Sequence, residues 1–283
     1  MKADLHCHSY VSDGSLSTKQ LVKLAERVGI NALAISDHDT VEGFKEAAIE
    51  CEKHNILNIP AIEISAYDYK RDKKVHILGY LLDRPEELGN FCRPMVEERI
   101  KNSKWMVSEL IKKGFPLSWD FVSGFAYKKK NVYKQHIMRA LMEIGYSSSI
   151  KGELYNWLFS KPKEKSAGGI LYKEINYVDA FEAVREIKKS GGLAVLAHPA
   201  GYKNIDIIPE LIDVGLDGVE AFHPSHTKAE TNQLIMISGK YDLIMTGGSD
   251  FHGMYEGHTS PMGLTVVGED SVNSLFRRKE KAA

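Results

Sequence analysis

Ala3-Asp4-Leu5-His6-Cys7-His8 forms the first apolar run of the chain, and Ser12-Asp13-Gly14 follows at once. The run is short enough to be one strand. In a strand, residues i and i+2 share a face. His6 and His8 therefore point together, and Cys7 points the other way as a small buried group. Downstream, Ser17 with Gln20 three residues on marks a capped helix start, and Gly29 a helix stop. This strand-then-helix unit repeats. Residues 31–36 (NALAIS) read as a buried strand, 41–54 as a helix, and 59–65 and 74–80 as strands. The rhythm returns at 178–189, a helix closed by Gly191-Gly192. A strand at 193–197 (LAVLA), helices near 207–214 and 228–238, and strands at 218–221 and 243–246 complete it. Strands alternating with helices imply an α/β fold with a parallel sheet. About seven such strands favour a barrel, regular or distorted, over an open sheet.

Residues 84–165 break the rhythm and read as helices only. The longest covers 95–113, and another covers 132–144. We expect one discontinuous domain, 1–83 with 166–283, carrying a helical insertion at 84–165 that caps the substrate. The insertion holds 16 Lys and Arg against 9 Asp and Glu, while the remainder holds 21 against 29. The carboxylates that bind cations and the cations that meet an anion thus lie on different parts of the chain. The whole chain has 37 basic and 38 acidic residues, which gives no signature of long nucleic acid or of a membrane surface. No apolar run approaches the roughly 20 residues of a membrane span. Cys7, Cys51 and Cys92 are scattered and make no disulfide framework or zinc ribbon. A reducing, cytoplasmic setting is the expectation.

The candidate metal ligands share one address. His6 and His8 end the first strand, and Asp13 lies in its loop. His38 follows the second strand, Glu63 ends the third and His76 lies in the fourth. His198 follows LAVLA, and Asp250 and His252 follow the last strand. In parallel α/β barrels the strand C-termini open on one rim, where active sites are built. Nine imidazoles and carboxylates converging there exceed the three or four protein ligands of a single ion. They suit two or three divalent ions with a carboxylate such as Glu63 between them. His76 read alone is equally a core histidine, and Asp37 and Asp39 read alone are helix caps. His54 and His258 are left as structural or surface residues. Such a cluster favours hydrolysis of an anionic ester by metal-activated water.

These residues resemble the polymerase-and-histidinol-phosphatase (PHP) superfamily. The resemblance rests on D-L-H-C-H-S with S-D-G, S-D-H-D-T, Glu63, His76, A-H-P and G-G-S-D-F-H-G, in order across both ends of the chain. It implies a distorted (β/α)7 barrel and up to three ions, commonly manganese, iron or zinc. It assigns His6, His8, Glu63 and Asp250 to one ion, Glu63, His76 and His198 to a second, and Asp13, His38 and His252 to a third. Some members have histidine where this chain has Asp13, and a carboxylate there favours a harder ion such as Mn²⁺. The insertion resembles one branch at Glu98-Arg99 with Asn102, and at residues 134–139, where the branch usually has Arg-Pro-His and this chain has Lys134-Gln135-His136. That branch implies a metal-dependent phosphatase that removes the 3′-phosphate of nucleoside 3′,5′-bisphosphates, leaving AMP and phosphate from the adenosine compound. Histidinol phosphatase, 5′-3′ exonuclease on short oligonucleotides, and a non-catalytic metal- or nucleotide-binding module are the alternatives. Arg99, Asn102, Lys134, His136 and Arg139 are the expected phosphate-binding residues. His223, in a segment that also resembles the branch, is expected to touch substrate and protonate the leaving group, and Asp250 is expected to be essential for catalysis.

Overall fold

The computed structural model describes residues 1–162, 168–255 and 260–282. The expected boundary at 165/166 and His258 lie outside them. Strand β1 (Ala3–Cys7) is buried throughout, and Cys7 points away from the histidine face, its Sγ 3.3 Å from Ala34 O. Helix α1 (Thr18–Arg27) begins at the expected capping box. Ser17 Oγ accepts from Gln20 N at 3.3 Å, and Gln20 Oε1 accepts from Ser17 N at 2.9 Å. Then come β2 (Ala32–Ile35), α2 (Phe44–Lys53), β3 (Leu57–Asn58), β4 (Ala61–Asp68) and β5 (Lys73–Tyr80). The helical stretch holds α3 (Pro85–Lys112), α4 (Trp119–Ser123), α5 (Lys134–Glu143) and α6 (Glu153–Phe159). The alternation resumes with β6 (Val178–Asp179), α7 (Ala180–Lys189), β7 (Leu193–Ala197), α8 (Ile208–Ile212), β8 (Gly218–Phe222), α9 (Lys228–Tyr241), β9 (Ile244–Gly247) and α10 (Glu269–Ala282).

The strands form a parallel three-stranded sheet, β1-β2-β3, and a six-stranded sheet, β6-β4-β5-β7-β8-β9. The expectation of a parallel sheet fails at β5, which runs antiparallel to both β4 and β7. The cause is the short turn after Asp68, which leaves no room for a crossover helix. Antiparallel neighbours can be joined by a tight turn, whereas parallel ones need a crossover of a dozen or more residues. Single bridges, Cys7↔Phe251 and His38↔Glu63, join the two sheets. Both fall at candidate site residues or beside them.

Helix α3 starts at Pro85, ahead of the 95–113 run read from sequence, and passes through Pro94. Proline suits a first helical position because the missing N–H would be unpaired there anyway, and Glu86 and Glu87 complement the helix dipole. The four helices of this stretch bury their own apolar cluster, built around Leu110, Ile137, Leu141 and Leu158. Separate clusters lie on either side of the sheets, one around Ile62, Ile77, Val184 and Leu196, another around Leu5, Leu78, Tyr80 and Val195. Each fully buried aliphatic side chain contributes about 1.5–3 kcal/mol relative to exposure, so these clusters stabilise the strand framework beneath the site. No helix among the described residues is long and apolar enough to cross a membrane.

Candidate metal centre

All nine candidate ligands meet on one face, seven of them at or just beyond the ends of β1, β2, β7 and β9, while Glu63 and His76 lie inside β4 and β5 rather than at a strand end. His6 Nε2 and His8 Nε2 are 3.2 Å apart. Glu63 Oε2 lies 3.4 Å from the first and 3.2 Å from the second, and Asp250 Oδ1 repeats those distances. An ion with bonds of about 2.1 Å to four tetrahedral ligands sets neighbouring ligand atoms about 3.4 Å apart. The first quartet expected from sequence has that spacing.

Glu63 faces two ways. Its Oε1 lies 2.8 Å from His76 Nδ1 and 2.9 Å from His198 Nε2, the second expected set. Its Oε2 also lies 3.2 Å from His38 Nδ1, so the structure brings His38 to this set as well. The third set gathers Asp13, His38, His252 and, in addition, His8. Asp13 Oδ1 is 3.3 Å from His252 Nε2 and 3.7 Å from His8 Nδ1, and Asp13 Oδ2 is 4.0 Å from His38 Nε2. His8 therefore stands between two groups, one ring nitrogen toward each.

Several of these atoms are buried with no hydrogen-bond partner: His8 Nδ1, His38 Nδ1, Glu63 Oε2 and Asp250 Oδ1. A buried polar atom without a partner costs free energy, and here the orphans face one another across the gaps that cations fill. The electrostatics agree. Burial raises the Glu63 carboxyl, but His76, His38 and His6 outweigh it and hold the group well below the usual range. Burial lowers His8, yet the neighbouring carboxylates of Asp250, Glu63 and Asp13 push it up to about 10. The carboxylates thus demand positive charge between them. His38 is held down to about 4, by burial first, which leaves it neutral, as metal ligation requires.

A ring of buried acids, none of them proposed from sequence as site residues, aims the candidate ligands. Glu220 Oε1 accepts from His6 Nδ1 at 3.0 Å and Glu220 Oε2 from His198 N at 2.8 Å. Asp4 Oδ2 accepts from Ser249 Oγ at 2.6 Å and Asp4 Oδ1 from Ser249 N at 3.0 Å, fixing the turn before Asp250. Asp37 accepts from Ser9 and Ser12, and Asp39 from Ser65 and Arg99. The helix-cap reading of Asp37 and Asp39 is thereby replaced, and α2 has no side-chain cap. Gly248 must be glycine, since a Cβ there would lie 2.4 Å from His6 N. Asp39, His198 and Asp250 hold left-handed backbone, with φ of 58°, 27° and 52°. Such strain in non-glycine residues costs about 1–3 kcal/mol each and persists where surrounding contacts impose it.

The expected substrate residues divide. Arg99, Asn102 and Lys134 line a cavity of about 290 Å³ beside the centre, together with Lys74, Lys151 and Tyr177. Arg99, expected to hold phosphate, is already paired with Asp39 at 2.7 Å and lies 4.8 Å over the Tyr133 ring. Asn102 is 3% exposed, and neither atom of its amide has a partner. His136 does not reach this cavity. It is fully buried, its Nδ1 accepting from Tyr133 N at 3.0 Å to cap α5. Arg139 turns outward to pair with Glu143. Positions 136 and 139 are three apart and share a helix side, but neither residue lines the cavity. His223 sits at the rim, its Nε2 3.4 Å from Asp250 Oδ2 and its Nδ1 2.7 Å from Ser225 Oγ. A second cavity of about 300 Å³ is lined by Glu63, His198, His223, Asp250 and His252, and shares His38, His76 and Tyr202 with the first.

Residues 4–195 match the PHP domain family. A phosphoribosyl 1,2-cyclic phosphate 1,2-diphosphodiesterase of Eggerthella lenta is 38% identical over 94% of this chain and 99% of its own. A 5′-3′ exoribonuclease of Haemophilus influenzae is 31% identical over 99% of this chain and 98% of its own. A 3′,5′-nucleoside bisphosphate phosphatase of Chromobacterium violaceum is 27% identical over 90% and 88%. A solved structure from Bifidobacterium adolescentis, described as a metal-dependent phosphoesterase, superposes with a TM-score of 0.84 at 28% identity, covering 98% of this chain and 96% of its own. With the clustered imidazoles and carboxylates, these likenesses lead to one conclusion: the chain belongs to the PHP domain family and is a metal-dependent phosphoesterase.

Proposed function

We propose that this enzyme hydrolyses a phosphoester on a ribose-sized substrate that carries a second phosphate. One observation carries the reading: the cavity lined by the candidate ligands adjoins a second one lined by Lys74, Lys134, Lys151 and the unpartnered amide of Asn102. Lys74 and Lys134 rest over the rings of Tyr177 and Phe159, each at 5.5 Å. Divalent ions held by the three groups would activate water and stabilise the charge developing on the reacting phosphoryl oxygens. His223, held between Ser225 and Asp250, would protonate the leaving alkoxide. Lys134, Lys74 and Asn102 would hold the other phosphate. The combined space is small, which favours a phosphosugar or a mononucleotide over a polynucleotide.

Of the two ribose substrates, a phosphoribose bearing a cyclic phosphate is favoured by the 38% identical relative that spans nearly the whole chain. The nucleoside 3′,5′-bisphosphate expected from sequence is the second reading, supported by the bisphosphatase relative. We also propose that the two sheets, joined by their single bridges, form the distorted seven-stranded barrel from β1, β2, β4, β5, β7, β8 and β9, and that residues 84–165 cap it. The deciding experiment is phosphate release and ring opening across phosphoribosyl 1,2-cyclic phosphate, adenosine 3′,5′-bisphosphate, AMP, histidinol phosphate and a short 5′-phosphorylated RNA, each with Mn²⁺, Zn²⁺ and Fe²⁺. The two doubly phosphorylated riboses should turn over well above AMP. Equal turnover of AMP would overturn the second-phosphate reading.

A further inference from the structure

Helix α5 enters the centre itself. Gln135, at its second position, donates from Nε2 to Asp13 Oδ2 at 3.0 Å. Among the described residues, no other side chain of the helical stretch is hydrogen-bonded to a candidate-ligand carboxylate. The helix is in turn locked to the rim. Tyr133, its N-cap, donates from Oη to His38 O at 3.3 Å, and Ser103 Oγ donates to Val132 O at 2.5 Å. The Asp13 carboxylate has few other restraints. Its Oδ1 receives a long bond from Ser12 Oγ at 3.4 Å, and its remaining neighbours are the ring nitrogens of the same candidate group. The amide of Gln135 is thus the protein's main means of aiming Asp13. By contrast, His6 is aimed by the barrel acid Glu220, which lies wholly within the strand framework.

We infer that Gln135 is a positioning residue for the group His8, Asp13, His38 and His252, so that the affinity of this one group for its ion depends on how the helical stretch is seated. The inference rests on the reading that this group holds an ion. A hydrogen bond that orients a ligand typically changes metal affinity by about 10–100-fold. A neutral amide donor suits the task. It satisfies one carboxylate oxygen and leaves the other for the ion, and it adds no charge to repel a cation. The other two groups have no partner in α5. Loss of the amide should therefore weaken one ion and leave the rest bound.

The test is Mn²⁺ binding to the full-length protein, measured by metal analysis after equilibrium dialysis and by calorimetry, for wild type, Gln135→Met, Gln135→Ala and Asp13→Asn. Gln135→Met keeps the length and volume of the side chain without its donor. The expected result is one ion class weakened about 10–100-fold in both Gln135 variants, with the tighter classes unchanged and turnover recovering at high Mn²⁺. Asp13→Asn should weaken the same class at least as much. If Asp13→Asn loses that ion while both Gln135 variants bind as wild type, the positioning role is overturned and the site reading stands. If Asp13→Asn binds as wild type, the reading of this group fails and the inference fails with it. Thermal unfolding of the metal-free variants within a few degrees of wild type excludes a general loss of fold as the cause.

Discussion

Arg99 Nη2 lies 2.7 Å from Asp39 Oδ2, a bond that ties α3 to the residue next to His38. Both groups are buried, and Asp39 also accepts from Ser65 N and Ser65 Oγ at 2.8 and 2.9 Å. Removing one partner of a buried pair leaves the other uncompensated. Arg99→Met should therefore destabilise the protein by about 3–5 kcal/mol, measured by denaturant unfolding. A residue that only held substrate phosphate would raise KM and leave stability unchanged.

Asn102 predicts the opposite pattern. Its buried amide has no protein partner to lose. Asn102→Ala should change unfolding free energy by no more than about 0.5 kcal/mol. It should lower kcat/KM for the doubly phosphorylated substrate by roughly 10–100-fold, the worth of a hydrogen bond to a charged group. Activity on a singly phosphorylated analogue should fall far less.

Lys134 gives a pH signature. Burial first, and then the nearby Lys74, bring its ammonium down to about 8. The charged form, proposed to hold phosphate, is complete below that value and is lost as pH rises through it. Since kcat/KM reports ionisations of the free enzyme, it should decline above about pH 8. Lys134→Arg, which stays charged at every working pH, should remove that limb of the profile while leaving the acid limb in place.

Glu220 is fully buried and should still matter. It accepts from His6 Nδ1, which aims His6 Nε2 at the shared gap. Glu220→Gln keeps the shape and removes the charge. Metal affinity of the His6-containing group should fall by about 10–100-fold, read by competition with a chelator, with turnover restored at high metal concentration.

The strand-end positions were legible because apolar runs ending in His, Asp or Glu put their polar group at the edge of a buried sheet. His6, His8, His198 and Asp250 carry that signature and converge, and Glu63 joins them from inside β4, which runs on to Asp68. The direction of β5 was not legible. Its residues, 73–80, read equally well in either direction, and only the short turn after Asp68 decides it. The acids that aim the candidate ligands were hidden for a different reason. Glu220 and Asp4 sit inside apolar strands like ordinary framework residues, and their partners lie 214 and 245 residues away in sequence. Local spacing carries no trace of such pairs. The signal was there in kind, a charged residue in an otherwise apolar strand, which burial makes costly unless it is paired. The pairing of Arg99 with Asp39 was not legible, because a basic residue on a helix does not announce which carboxylate of its own chain it meets.

The centre draws on residues from both ends of the polypeptide. His6 and Asp250 share one quartet, and Cys7 bridges Phe251 between the two sheets. Contacts of such long sequence separation form late, because loop closure must precede them. During synthesis, a ribosome that has reached the middle of this chain has released strands, helices and several histidines, but not the quartet of His6, His8, Glu63 and Asp250. The quartet comes into being only after residue 250 has emerged and β9 has docked beside β1. A chain clipped between β8 and Asp250 keeps its first eight strands but lacks that quartet, and should be inert toward phosphoesters.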